Sequence, residues 1–566
     1  MKDDKGKIIE TPTQLFRRVA KTIAQVDKKY GKDSKKTEEE FFLAMKNLEF
    51  LPNSPTLMNA GTKLGQLSAC FVLPIEDSIE SIFTTLKNMA LIQQSGGGTG
   101  FSFSRLRPKG DMVKSTRGIA SGPVSFMRIY DSATDVIKQG GKRRGANIGI
   151  LHCTHPDVEE FIFAKSDKSL TNFNISIAAS DDFIKKVLTG KEISLKNPRN
   201  NKIIKKINAK NLFDLIVKNA WETGDPGIIF IDEINRKHPL KALGIIESTN
   251  PCSEVPLLPY ESCNLGSINL AKMIKNEEID WQKIQKLTRM AVHFLDNVID
   301  VNKYPLKKIE EITKANRKIG LGVMGFADLL FKLKIPYDSK EAISIGEKII
   351  SFIAKEAKQK SLELGKERGS FKTFNSSIWS KKYPAMRNAT CTSIAPTGTI
   401  SIIAGCSSGI EPLFALVFLR EVMEGKKLIE INEIFKIELI KRNLYSDDLI
   451  ESISKTGNIK DSNLPDDIKK IFITSLDIAP EFHVMMQSAF QKHVDNAVSK
   501  TINLPKNSTI DDVRKIYLLA WKLKCKGITI YRYGSKPEQV LYLGTGKPIV
   551  VNVGYSGGCP IGICPL

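Results

Sequence analysis

An α/β fold is what this chain predicts, on three observations. Segments with apolar residues at helical spacing, near 210–222, 282–300 and 341–365, alternate with short apolar runs such as Ile228-Ile229-Phe230-Ile231. The 566 residues are 42% hydrophobic and 26% charged, a globular composition. Neither a solenoid-like repeat nor a low-complexity tract interrupts the pattern.

Residues 10–48 read as helical, with Leu15, Val19, Ile23 and Val26 on one stripe, and the turn-rich Leu51-Pro52-Asn53-Ser54-Pro55 ends them. Ile79 to Gln94 is again helix-like and runs into Ser95-Gly96-Gly97-Gly98-Thr99-Gly100, then the strand-like alternation Phe101 to Ser104. A helix is expected over Ser121 to Ile137, a glycine- and base-rich loop over Lys138 to Gly145, and a buried strand at Asn147 to Leu151. The charged stretch from about 420 to 475 reads as a helical insertion on the rim, and the glycine-rich end from Pro537 as a tail. The expected division is a helical region 1–50, a catalytic body 51–536 and a tail 537–566.

The formal charge of +22 suits polyanions or a lysine-rich solvated surface. The lysines are spread along the chain (Lys35-Lys36, Lys205-Lys206, Lys469-Lys470), and no basic arm interleaved with aromatics stands out, so charge alone does not make a nucleic-acid binder. The charged start, Met1 to Lys5, is unlike a signal peptide, and no apolar run reaches a membrane span. Nine cysteines are too sparse for a secreted disulfide scaffold, which points to the cytoplasm.

The chemistry concentrates in Asn250-Pro251-Cys252-Ser253-Glu254. In an extended or loop segment the amide, thiol and carboxylate at i, i+2 and i+4 share one face, a kit for hydrogen-atom and proton transfer. Cys263 follows eleven residues after Cys252 and adds redox potential. The glycines of 96–100 admit a ligand to the backbone or form a tight turn. Pro396-Thr397-Gly398-Thr399-Ile400-Ser401 suits a diphosphate or a capped turn. Lys138 to Arg144 senses a nucleotide or is a solvated charge run. Cys153, Cys391, Cys406 and Cys525 read as core thiols, as does Cys70 in isolation. Cys559 and Cys564 form a C-x4-C pair between glycines on the tail. With no further ligands nearby, thiol–disulfide exchange suits them better than a metal.

Together these stretches resemble a ribonucleotide reductase large (catalytic) subunit, of the adenosylcobalamin-dependent class. The carriers are Asn53 to Thr56, Ser68-Ala69-Cys70, Gly96 to Gly100, Asn250 to Glu254, Cys263 to Ser267, Pro396 to Ser401, Gly527 to Arg532 and the tail cysteines. The resemblance implies a ten-stranded α/β barrel of two five-stranded, antiparallel-related halves, entered by a finger loop and preceded by a small helical region. It implies that Cys252 is the thiyl-radical cysteine, Glu254 the base on the 3′-hydroxyl and Asn250 the residue that bonds the sugar oxygens. It implies that Cys70 and Cys263 supply two electrons and that Cys559 and Cys564 re-reduce them, recharged by thioredoxin or a similar reductant. The substrate, a ribonucleoside diphosphate or triphosphate, is expected on Ser54, Ala69, Cys70, Gly98, Asn250, Pro251, Cys252, Ser253, Glu254, Pro396, Thr397, Gly398, Thr399 and Ile400. A deoxynucleotide effector is expected at Asp77, Arg107, Lys138, Gln139 and Arg143. A homodimer is implied, with no resident metal, no membrane and no direct nucleic-acid binding.

The class rests on how Cys252 is oxidised. The oxygen-dependent class uses a radical partner and two adjacent tyrosines near the C-terminus, whereas this chain has Tyr531-Arg532, so adenosylcobalamin is expected instead. Asp-x-His-x-x-Gly, a cobalamin-mutase signature, is absent and decides nothing. Val553-Gly554-Tyr555 echoes the glycyl-radical class, but Glu254 and the tail dithiol argue against it, and that class's four-cysteine zinc site is missing. About fifty residues precede the catalytic region, too few for the ATP-binding module of some relatives, so dATP shut-off is not expected. The competing expectations are an oxygen-dependent catalytic subunit and a basic nucleotide- or RNA-binding protein.

Overall fold

The computed structural model describes residues 7–113, 117–137, 145–167, 169–421, 427–535 and 550–551. The expected helix over 10–48 is two helices, α1 (Pro12–Ala24) and α2 (Ser34–Lys46), with a 3-10 turn between them. Thr11 and Gln14 form a reciprocal capping box on α1, and Asp33 caps α2.

The sheet strands follow in chain order. β1 (Phe50–Pro52), β2 (Cys70–Leu73), β3 (Gly98–Ser102), β4 (Asn147–His152), β5 (Phe173–Ala179) and β6 (Gly227–Phe230) come first. A short hairpin of β7 (Ser248–Thr249) and β8 (Pro256–Leu257) is next, then β9 (Ser262–Asn269) and β10 (Ile319–Met324). β11 (Val417–Glu421) and β12 (Lys427–Ile431) form a second hairpin; β13 (Thr501–Leu504) and β14 (Gly527–Arg532) finish the set. The helices that cover the sheet are α3 (Ile79–Gln94), α4 (Pro123–Val136), α5 (Ala209–Thr223), α6 (Trp281–Val301), α7 (Lys340–Arg368), α8 (Gly398–Ala404) and α9 (Pro480–Gln491).

Strands β2 to β6 run parallel, each to the next. β9 and β10 are parallel, as are β13 and β14. Between these pairs runs the extended segment 390–394: Leu321 of β10 bridges Thr392, Ile394 bridges Val498, and both bridges are parallel. Amide bonds from Ser393 to Leu321 O and from Ile394 to Ala497 O carry the ladder across. The halves meet antiparallel at both seams, β2 on β9 and β6 on β14. This is the ten-stranded barrel of two five-stranded halves, closed with no free edge. β1 lies outside the ring and pairs with the far end of β9.

Alternation along the strands sorts the core. Phe71 and Leu73 of β2 point outward into a cluster with Phe101, Phe103, Met127, Tyr130 and Phe213. Cys70 and Val72 point inward and pack with Val255, Leu257 and Cys263. A second outer cluster joins Phe16, Val19, Ile23, Phe41 and Met45 of the N-terminal helices to Phe294, Leu295 and Val323. Asp27, in the turn between α1 and α2, reinforces that join by pairing with His293 and Arg368, while Asp296 pairs with Arg317 and Arg387 within the body behind it.

Two expectations are corrected. The stretch 420–475 does not begin as helix: β11 and β12 pair first, with Val417, Phe418, Ile429 and Ile431 supplying β-branched and aromatic residues, and helices follow from Glu433. Cys406 is not a fully enclosed core thiol but is half-buried in the wall of a cavity with Lys272 and Asp328, whereas Cys153, Cys391 and Cys525 are buried. Among the described residues no helix is long and apolar enough to cross a membrane.

Candidate functional site

The β7–β8 hairpin enters the barrel, and its turn carries residues 250–255. It touches both halves. Asn174 Nδ2 of β5 donates to Pro251 O at 2.9 Å, while Ser393 Oγ and the Ala497 amide both donate to Glu254 O at 2.8 Å. The hairpin also sets the glycines of β3. A Cβ on Gly100 would stand 1.7 Å from Thr249 O, and one on Gly98 3.0 Å from Pro251 Cγ. The stretch 96–100 is therefore a turn that becomes a strand, with Gly98 and Gly100 small to admit the finger backbone.

The turn is not extended. Ser253 has φ of 64° in the left-handed region, and Asn250 and Glu254 close on each other: Asn250 Nδ2 donates to Glu254 Oε2 at 2.7 Å. The same nitrogen lies 3.3 Å from Cys70 Sγ, and Asn250 Oδ1 accepts the Val255 amide at 2.8 Å. Asn250 thus links carboxylate, thiol and finger backbone at one point. Both Asn250 and Glu254 are 2% exposed. Burial raises the Glu254 carboxyl to about 7, against the opposing hydrogen bond from Asn250.

Cys263 is the Cα partner of Cys70 across the β2–β9 seam. Burial raises both thiols, and Glu254, Cys263 and Cys252 raise Cys70 further. None of the seven described cysteines forms a disulfide. Cys252 is half-buried and opens on a cavity lined by Pro251, Ser253, Pro396, Gln487, Lys500 and Tyr531. Pro396 brings the expected diphosphate segment to that cavity; Thr397 there has φ of 58° and α8 starts at Gly398. Ala69 packs against the Cys70 cluster, and its carbonyl accepts the Gly98 amide at 3.0 Å. Ser54 opens a short helix tied to β9 through Asn53 N and Leu265 O.

Asp77 and Arg107 are brought together, but with each other: Arg107 Nε lies 2.9 and 3.0 Å from the two carboxylate oxygens, just before α3. Lys138, Gln139, Arg143, Cys559 and Cys564 lie outside the described residues. Local motifs missed Asn174, Ser393, Gln487 and Lys500. Each is an ordinary polar residue in its own segment and meets the finger or its cavity only through long-range packing: Asn174 from β5, Ser393 from the segment 390–394, Gln487 from helix α9 and Lys500 from just before β13. Among the described residues no group of three or more His, Cys, Asp and Glu is arranged to hold a metal ion.

The comparisons with known proteins agree with this geometry. The family model "Ribonucleotide reductase, barrel domain" matches residues 68–385 and 382–531, and "Ribonucleotide reductase, all-alpha domain" matches residues 1–65. A protein named "Vitamin B12-dependent ribonucleoside-diphosphate reductase" from Thermoplasma acidophilum is 52% identical, over 97% of this chain and 79% of its own length. One of the same name from Mycobacterium tuberculosis is 49% identical, over 98% and 81%. The solved "Actinobacillus ureae class Id ribonucleotide reductase alpha subunit" shares the fold, with a TM-score of 0.77 at 24% identity over 91% of this chain and 93% of that one. A barrel closed from two antiparallel halves, with a finger turn facing paired thiols and half its sequence in common with those relatives, belongs to the ribonucleotide reductase family.

Proposed function

We propose that this chain is a B12-dependent ribonucleoside-diphosphate reductase and that the finger turn is its reaction centre. The single observation that carries the reading is the Asn250 amide, bonded to Glu254 and in reach of Cys70, on the turn that also presents Cys252.

Adenosylcobalamin, when bound, supplies the oxidising equivalent that takes the hydrogen atom from the Cys252 thiol. The residues fit such a group on the Cys252 side. Gln487 Nε2 donates to Gly527 O at 2.8 Å, which fixes the amide, and the buried Oε1 in the cavity wall has no partner among the described residues. That acceptor suits the N–H groups the cofactor carries, and Tyr531 and Thr529 line the same wall.

The chain's own residues do the rest. Cys252, as a thiyl, abstracts the 3′-hydrogen of the ribose while ionised Glu254 takes the 3′-hydroxyl proton. Asn250 holds the sugar oxygen and keeps Glu254 in place. The 2′-hydroxyl leaves as water with a proton from the Cys70/Cys263 pair. That pair gives up two electrons and closes to a disulfide, Cys252 returns its hydrogen to C3′, and Glu254 returns its proton to the 3′-oxygen. Two thiol hydrogens and one 2′-hydroxyl thus become a disulfide, a deoxyribose and water. The burial of Asn250, Glu254, Cys70 and Cys263 suits this, since an enclosed site limits side reactions of the radical intermediates.

The substrate's diphosphate is assigned to 396–400 and its sugar and base to Ser54, Ala69 and Gly98. A deoxynucleotide effector is assigned to Asp77 and Arg107 with Lys138, Gln139 and Arg143, and re-reduction to Cys559 and Cys564 with a thioredoxin-like donor. A cytoplasmic homodimer with a helical region over 1–50, a body over 51–536 and a tail over 537–566 completes the reading. The test is an anaerobic assay with adenosylcobalamin, a dithiol and no second protein. Deoxynucleotide should form, and Cys252→Ser should abolish it while nucleotide binding persists. A requirement for another protein chain would reject the cobalamin assignment.

A further inference from the structure

A lysine enclosed in a barrel wall needs a reason, because a buried ammonium is costly unless every donor is met. Lys500, just before β13, has a side chain 0% exposed. Its three N–H groups are all used, by Glu411 Oε2, by His483 Nδ1 at 3.0 Å and by Thr501 O at 3.2 Å. The other Glu411 oxygen accepts the Thr501 amide at 2.7 Å. His483 sits 3.0 Å from Ser475 O through Nε2, so the proton is on Nε2 and Nδ1 is left as an acceptor for the lysine.

Glu411 ends a loop, 405–411, that folds over the back of segment 396–401. The Gly409 amide donates to Thr397 Oγ1 at 2.7 Å, and Ser401 Oγ and Ser408 Oγ are 2.9 Å apart. A Cβ on Gly409 would meet Ala395 O at 2.9 Å, so the two stretches are in close backbone contact. Lys500 meanwhile lines the cavity of Cys252 and Pro396. The contacts run without a break from barrel strand to ion pair, to backing loop, to Thr397.

We propose that Lys500 and Glu411 are positioning residues that fasten the diphosphate-holding segment 396–401 to the barrel wall beside Cys252. The proposal rests on the diphosphate reading of that segment. The pair touches no phosphate itself: each of its polar atoms is spent on its neighbours. Its task is to hold the Thr397–Gly398 backbone at a set distance from the finger turn, so that a substrate anchored by its phosphates presents its ribose to Cys252.

Calorimetric binding of cytidine diphosphate and cytidine to the full chain, without cofactor, tests this. The parent should prefer the diphosphate. In Lys500→Met and in Glu411→Gln that preference should fall about tenfold or more, which is about 1.4 kcal/mol, while cytidine binds as in the parent. Lys500→Arg, which keeps the charge, should retain most of the preference. In the turnover assay kcat/KM should fall by about the same factor or more. A merely structural pair would lower the melting temperature and leave the diphosphate preference of the folded variants unchanged, and that result overturns the proposal. If Lys500→Met does not fold, Glu411→Gln, which keeps its volume and its bond to Thr501, decides in the same way. A parent with no preference for the diphosphate sinks the reading of 396–401 and the proposal with it, whereas a parent preference that survives in both variants sinks the proposal alone.

Discussion

Cys70 and Cys263 stand opposite one another as Cα partners on antiparallel strands β2 and β9, inside the barrel and beside the finger turn. Directly opposed residues of an antiparallel pair have Cα atoms about 4.5–5.5 Å apart, within the span a disulfide bridges. The two thiols can therefore close without moving the backbone, and the seam between the two halves is what opposes them.

Substituting either thiol by serine should stop multiple turnover. We expect Cys263→Ser to fold normally and to fall below about one-hundredth of parent activity. Thiol counting after one round with substrate should show two buried thiols lost in the parent and none in the variant. A Cys263→Ser enzyme that still turns over with a dithiol would remove the pair from the mechanism.

Glu254 has to be ionised to act as a base, and its carboxyl is raised to about 7 by burial. The deprotonated fraction grows through that value, so kcat/KM should climb about tenfold in all from pH 6 to pH 8, and approach about tenfold per unit only below pH 6. Glu254→Gln keeps the bond from Asn250 but cannot take a proton. It should lose on the order of 10²–10⁴ in kcat and flatten this limb. An unchanged acid limb in the variant would assign the titration to another group.

Gly100 is a packing requirement for the finger. Gly100→Ala would drive a methyl into Thr249 O, which stands 1.7 Å from the ideal Cβ position. Urea denaturation should show a loss of about 1–3 kcal/mol, and activity should fall further than stability because the turn is displaced. An alanine variant with parental kcat would show that the hairpin yields at no cost.

The buried carboxylate Asp27 holds the N-terminal helices on the barrel, and Asp296 gathers Arg317, Arg387 and Arg368 behind that contact. Burial alone would raise both, but His293 at Asp27, and Arg317, Arg387 and Arg368 at Asp296, outweigh it and hold them below the usual carboxylate range. A depressed carboxylate stabilises the fold above its unfolded pKa and loses that contribution as pH falls through the folded value. Thermal stability should accordingly be level near neutrality and decline below about pH 4. Asp296→Asn leaves Arg317, Arg387 and Arg368 without their shared buried carboxylate, with Asp300 the acid still facing Arg317 and Arg387, and should cost about 3 kcal/mol at neutral pH, with the acid decline blunted; equal slopes in both proteins would place the acid sensitivity elsewhere.

Ile79, Phe83 and Leu91 on α3 and Ile129 and Val136 on α4 make an exposed apolar set on two helices. A homodimer through these helices would cover it. Sedimentation should find the parent at twice the chain mass and Phe83→Glu at the chain mass. A monomeric parent would end the dimer reading.

Much of the fold was legible locally. Helix α3 fell on its apolar stripe, and β4 and β6 on continuous apolar runs, because these signals depend on neighbours in sequence. β9 was illegible as a strand: all eight residues are buried, yet Ser262, Asn264, Ser267 and Asn269 are polar, with Ser262 bonded to Thr313 and Asn269 to Leu48 O and the Ala271 amide. The segment 390–394, which closes the ring, is too short and too polar to announce itself.

By itself the sequence determined the residue types of the reaction centre. An amide, a thiol and a carboxylate within five residues, two further thiols and one tyrosine before Arg532 already narrow the chemistry to a radical thiol with a dithiol reductant. The tertiary structure alone decided which of them meet. Strand pairing sets Cys70 against Cys263, a tight turn joins Asn250 to Glu254, and Lys500 finds Glu411 from 89 residues away. Local spacing determines which faces a segment offers, and long-range pairing across a closed sheet determines what those faces touch.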